Sequence, residues 1–108
     1  MGFLNFFRRP DINEGVSLFS QTPDAILLDV RTQEEYQAGH IPQSRNLPVE
    51  EIDRAPMRIP DQKTPLFVYC LSGARSSQAA AALRAMGYTQ VTNIGGINSY
   101  QGKVEYPA

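Results

Sequence analysis

Cysteine is nearly missing from this chain: Cys70 is the single one in 108 residues. An intramolecular disulfide is therefore excluded, and the fold must be held by its core alone. Histidine is equally scarce, with His40 alone, so no Cys/His cluster exists for zinc. No stretch approaches the roughly 18 apolar residues of a membrane-spanning helix. Charge of one sign is also lacking. The formal net charge of −1 leaves no electrostatic footprint for nucleic acid or an anionic membrane surface. Repeats and low-complexity segments are absent, and no motif implies a metal or an organic cofactor. What is present suits one globular domain: 42% hydrophobic and 19% charged residues. A chain of this length buries somewhat over ~60% of its unfolded surface, enough for one core without staples.

Residues 1–11 are read as an N-terminal segment and 12–108 as the domain. The segment lacks the leading charges, long apolar run and small-residue cleavage site of a secretory signal, so a cytoplasmic protein is expected. Phe3, Phe6 and Phe7 are expected to pack onto the domain or onto a second copy. A weak membrane-surface contact is the alternative, but so few residues make a poor interfacial anchor and no stable insertion is expected.

Along the rest of the chain, helical and strand patterns alternate. Ile12 to Phe19 reads as a short helix with Val16 and Phe19 on one face. Ala25 to Val30 is a near-continuous apolar run, as in a strand buried on both faces of a parallel sheet. Thr32 with Glu35 has the spacing of a capping box, and the Gly39-His40-Ile41-Pro42 turn stops that helix. Ser44 to Leu47 is a short strand and Pro48 to Ile52 a short helix, followed by a polar connection from Arg54 to Thr64. Pro65 to Cys70 is a second buried strand, and Ser76 to Met86 an Ala-rich helix closed by Gly87. Gln90 to Ile94 is the last strand, with a final helical turn ending near Tyr100. Strands alternating with helices predict an α/β fold: a mostly parallel central sheet flanked by helices on both faces.

Cys70 falls at the carboxyl end of its strand, where a short loop turns into a helix N-terminus. Ligands of such sheets bind at that end. The geometry aims unpaired N–H groups and the positive end of the helix dipole at one sulfur. Thiols so placed ionise in a range of roughly 3.5–7.5, against about 8.5 for a free cysteine. Gly73 lets backbone approach a bound group, and consecutive loop N–H groups form an anion-binding concavity. Arg75 adds a permanent planar charge, and Ser72, Ser76 and Ser77 offer hydroxyls. Ser76 and Ser77 serve equally as helix-start residues. A buried inert thiol is the plain alternative. The Gly73 and Arg75 neighbourhood favours the nucleophile.

Four stretches carry a family resemblance: Leu28-Asp29-Val30-Arg31 with Glu34-Glu35-Tyr36; Gly39 to Pro48; Cys70-Leu71-Ser72-Gly73-Ala74-Arg75-Ser76; and Asn93-Ile94-Gly95-Gly96-Ile97. In this order they resemble the single-domain rhodanese-like sulfurtransferases, over roughly Ile12 to Gly102. The resemblance implies that Cys70 accepts a sulfane sulfur as a persulfide. It also implies that Leu71, Ser72, Gly73, Ala74 and Arg75 form the substrate cradle, with Arg75 on the donor's anionic end. Asp29 and Arg31 match a structural pair, with Arg31 bonded to Glu35, and His40 matches a structural turn histidine. The implied partners are a small anionic sulfur donor and a small-thiol, cyanide or protein acceptor, with the chain a monomer or weak dimer. Three departures stand out. Gln43-Ser44 replaces a frequent Gly-Ala pair, Tyr100 stands where tryptophan is common, and Leu71 replaces the basic residue of some thiosulfate-specific relatives. Two other functions compete. A non-catalytic rhodanese-like binding module is disfavoured by the presence of Cys70, Gly73 and Arg75. A cysteine-dependent phosphatase is disfavoured because only four residues separate Cys70 from Arg75, one fewer than in the related phosphatases.

Overall fold

Four parallel strands in the order β2-β1-β3-β4 form the centre of the computed structural model, which describes residues 10–107. The expected packing of Phe3, Phe6 and Phe7 lies outside the described residues. The elements run α1 (Ile12–Ser20), β1 (Ile26–Asp29), α2 (Gln33–Gln37), β2 (Arg45–Asn46), a 3₁₀ turn (Val49–Arg54) and α3 (Ala55–Arg58). β3 (Leu66–Cys70), α4 (Ala74–Ala85), β4 (Val91–Gly96) and a 3₁₀ turn (Ile97–Ser99) follow.

The apolar runs become the inner strands because both of their faces are covered. Every residue of β3 is buried, as are three of the four in β1. On one face Leu28, Val68, Leu66, Ala79, Leu83 and Tyr88 make a core under α4 and the 3₁₀–α3 segment. On the other, Ile12, Leu27, Phe67, Tyr69 and Ile94 make a second core, with Val16 and Phe19 of α1 packed against it. The predicted α/β sandwich, helices on both faces, is the observed one.

Local chemistry ends each helix. Asp11 caps α1, accepting from the Asn13 N–H at 2.9 Å. Thr32 and Glu35 form the predicted capping box on α2. α4 starts two residues earlier than the Ala-rich run suggests. Its N-cap is Gly73, at φ +107°, so neither Ser76 nor Ser77 is a cap. The stretch Arg54 to Thr64, expected as a connection, contains the single-turn α3: Pro56 sits in its first turn, and buried Ala55 and Ile59 pin it to the core. Gly87, at φ +110°, follows the last helical residues as the left-handed terminator.

The turn before β2 is less comfortable. Gln43 adopts φ +72°, a left-handed conformation that a Cβ disfavours by about 1–2 kcal/mol. Gln43→Gly is expected to stabilise the protein by about 0.5–1 kcal/mol, the relief net of glycine's larger unfolded-state entropy. A thermal melt should show a rise of roughly 2–6 °C; a lower midpoint would mean that Gln43 makes compensating contacts.

The topology also locates the site. From β1 the chain crosses to β2 on one side, and from β3 to β4 on the other. The carboxyl ends of β1 and β3 therefore border a switch point, where an α/β sheet leaves a crevice. Arg31 and the loop after Cys70 emerge there.

Candidate active site

Cys70 ends β3 and is 1% exposed. The loop folds back so that the Gly73 N–H lies 3.0 Å and the Ser76 N–H 3.3 Å from its Sγ. The Ser72 N–H also reaches the sulfur. The left-handed Gly73 makes this turn possible, bending the chain from strand to helix over the sulfur within three residues. Burial pushes the thiol pKa up, but the Ser76 hydroxyl and the N–H groups of Ser76, Gly73 and Ser72 outweigh it. The net shift is downward, in favour of the thiolate.

Ser76 was legible only as a hydroxyl near a helix start. In the structure it is fully buried and sits between the sulfur and β4. Its hydroxyl lies 2.7 Å from Asn93 Oδ1, to which it donates while accepting from the protonated Cys70 thiol, and 3.5 Å from Sγ, to which it donates once the sulfur is ionised. Asn93 is a supporting residue that pattern reading missed. The pairing of β4 with β3 slips after Val68–Asn93, so that Tyr69 pairs with Gly95. This bulge lets Asn93 Oδ1 also accept from the Gly95 N–H at 3.0 Å. An asparagine inside an otherwise β-prone run was the available signal.

Gly96 packs against the same loop. A Cβ there would lie 2.6 Å from Ser72 Cα and overlap the Leu71 carbonyl oxygen, both backbone atoms. Gly96→Ala is expected to displace the loop and draw the N–H donors off the sulfur. The pH profile of iodoacetamide alkylation should then move to higher pH, and the alkylation rate at neutral pH should fall about tenfold. An unchanged profile would show that the loop absorbs the methyl without moving.

The charged groups sort differently from expectation. Arg31 does not bond to Glu35. Its Nη2 donates to Asp29 Oδ2 at 2.6 Å and to the Gly39 carbonyl at 2.8 Å, and its Nε reaches Asp29 Oδ1 at 3.0 Å. Burial opposes the Arg31 charge, and the bonds to Asp29 hold its pKa above the usual value. Asp29 is fully buried and also receives the Arg31 N–H, so this pair braces the end of β1. Glu35 belongs to Arg75 instead. Arg75 Nη1 donates to Oε1 at 2.7 Å and Nη2 to Oε2 at 3.0 Å, which holds the Glu35 carboxyl at about 2. Adjacent strand ends explain the exchange: Arg31 is two residues from Asp29, whereas Arg75 leaves α4 facing α2.

His40 is buried with its ring stacked on Tyr36, centroids 3.8 Å apart. Its Nδ1 lies 3.0 Å from the Tyr36 carbonyl, which can only accept, so Nδ1 carries the hydrogen. Its backbone pairs with Glu105, a tie to the C-terminal stretch that no sequence pattern indicated. Beside the cysteine loop a cleft of about 370 Å³ is lined by Asp11, Ser72, Gly73, Asn93 and Asn98 among others. The described residues include no cluster of His, Cys, Asp and Glu able to hold a metal, and no helix among them is long and apolar enough to cross a membrane.

Comparison with known proteins finds relatives over most of the chain. The family model described as a rhodanese-like domain matches residues 14–103. The thiosulfate sulfurtransferase PspE of Escherichia coli is 41% identical over 71 residues, covering 65% of this chain and 68% of PspE. A sulfurtransferase of Allochromatium vinosum is 40% identical over 77 residues, 71% of each chain. Among solved structures, a rhodanese with anions from E. coli superposes with a TM-score of 0.71 at 34% identity, covering 77% of this chain and 99% of that one.

Proposed function

The chain belongs to the rhodanese-like domain family, and from that membership and the cysteine loop we propose that it is a sulfurtransferase with Cys70 as the sulfur carrier. The Cys70 thiolate attacks the outer sulfur of a sulfane donor, thiosulfate or a persulfide. A new S–S bond forms to Cys70 while the donor's S–S bond breaks, and its electron pair leaves on sulfite or a thiolate. The loop from Leu71 to Arg75 cradles the persulfide. A thiophilic acceptor then takes the outer sulfur and returns Cys70 as the thiolate. Cyanide, a small thiol or a relay protein would each serve. Asp29, Arg31, Glu35 and His40 hold the loop's surroundings in place.

One observation carries this reading: the N–H groups of Gly73 and Ser76 converge on Sγ at 3.0 and 3.3 Å. Donors at such distances favour the attacking thiolate in the first half-reaction and stabilise the charge that returns to Sγ in the second. The names of PspE and of the Allochromatium protein point the same way. A reducing compartment such as the cytoplasm suits a carrier whose resting form is a free thiol.

Intact mass spectrometry of the purified protein tests the proposal. Incubation with a sulfane donor should add one sulfur to Cys70, and a thiol acceptor should remove it. A mass that never changes, or aryl-phosphate hydrolysis that depends on Cys70, would overturn the assignment.

A further inference from the structure

Arg75 is the one loop cation, yet both arms of its guanidinium are engaged by Glu35, at 2.7 and 3.0 Å. Glu35 is itself fixed. Its Oε1 accepts from the Thr32 N–H at 2.9 Å and the Thr32 hydroxyl at 3.1 Å, the capping box of α2. With its carboxyl held at about 2, Glu35 stays ionised throughout the neutral range. Arg75 also feels Glu50, while Arg31 is paired with Asp29. Around the cysteine loop, then, the carboxylates of Asp29, Glu35 and Glu50 face the guanidiniums of Arg31 and Arg75. Both of those cations are matched. The side chain directly after the cysteine, Leu71, is uncharged and 45% exposed.

Resting on the sulfurtransferase reading, we propose that Glu35 sets donor selectivity: by occupying Arg75 it turns the site from thiosulfate toward organic hydropersulfides. Thiosulfate arrives with two negative charges and must leave as sulfite, again doubly charged, beside Glu35 and Glu50. A hydropersulfide R–S–SH carries at most one charge at its reacting end. The Cys70 thiolate attacks its outer sulfur, the donor's S–S bond breaks, and the electron pair departs on R–S⁻. Cys70–S–SH remains, with no oxidant or reductant required. The backbone N–H groups suffice for that transfer, and exposed Leu71 accepts an apolar R group at the rim.

Glu35→Gln separates charge from architecture, because glutamine also serves as the third residue of a capping box. Steady-state rates would be measured with thiosulfate and with 2-hydroxyethyl hydropersulfide as donors and cyanide as acceptor. The wild type is expected to show a kcat/KM at least tenfold higher for the hydropersulfide. In Glu35→Gln the ratio of thiosulfate to hydropersulfide kcat/KM should rise about tenfold, mainly through a lower KM for thiosulfate. The double variant Glu35→Gln/Arg75→Ala should lose that gain. A wild type that prefers thiosulfate, an unchanged ratio in Glu35→Gln, or a gain that survives removal of Arg75 would each overturn the proposal. The wild type alone supplies a further check. Added salt should lower its KM for thiosulfate by screening like charges, whereas a KM that rises with salt would reveal net attraction and overturn the proposal. If neither donor places a sulfur on Cys70 by intact mass, the sulfurtransferase reading itself fails; transfer from both with an unmoved ratio sinks only the selectivity.

Discussion

Cys70→Ser is expected to fold normally and transfer no sulfur. Sγ is buried with donors on several sides, and a hydroxyl accepts from the same N–H groups at somewhat shorter range. The volume change is small, so a melting midpoint within a few degrees of the wild type should result. Chemistry is another matter. The thiol pKa is already shifted down by the Ser76 hydroxyl and three backbone N–H groups, acting against burial. An alkanol starts far above the thiol range, and the same donors cannot bring it to neutrality. Loss of at least three orders of magnitude in donor-to-acceptor transfer is therefore expected, with no sulfur gained by intact mass. In the wild type, the rate of the first half-reaction should fall as the medium is acidified through the depressed thiol pKa, at a lower pH than for an unperturbed thiol. Substantial turnover by the serine variant would remove Cys70 from the mechanism.

Arg31→Met should produce the largest loss of stability. The substitution leaves Asp29, 0% exposed, without the guanidinium that meets both of its oxygens. It also frees the Gly39 carbonyl, which accepts from Arg31 at 2.8 Å at the end of α2. Removing one partner of a buried ion pair costs about 3–5 kcal/mol; here the remaining charge has lost its water and keeps only the backbone N–H of residue 31. Small domains are stable by only about 5–15 kcal/mol, so urea unfolding should move close to the limit of a folded protein. The double variant Asp29→Asn/Arg31→Met removes the stranded charge and should recover part of the loss. If Arg31→Met unfolds within about 1 kcal/mol of the wild type, the brace is not what holds the β1 terminus.

Local signals were sufficient for much of this molecule. The near-continuous apolar runs Ala25–Val30 and Pro65–Cys70 demanded cover on both faces, as a layered parallel sheet provides. The Thr32–Glu35 box and the stop at Gly87 depend on neighbours a few residues apart, so they were legible one helix end at a time. Cys70 at a strand end, followed by glycine and a helix former, was legible as the thiol placed beneath a helix N-terminus. Partners distant along the chain were not legible, because nothing local selects among them. Glu35 could meet Arg31 four residues away or Arg75 forty residues away, and α2 lying opposite the start of α4 decided for Arg75. Asn93 reaches Ser76 only through a bulge that appears when β4 pairs with β3. Gly96 enters the sequence reading only as part of the Asn93–Ile97 stretch; in the structure the cysteine loop rests against its Cα and leaves no room for a methyl. Residue types and short spacings thus determined the layers and the place of the proposed nucleophile in them. The charge balance around that nucleophile was decided by packing, which brings carboxylates and guanidiniums from separate elements to the same strand ends.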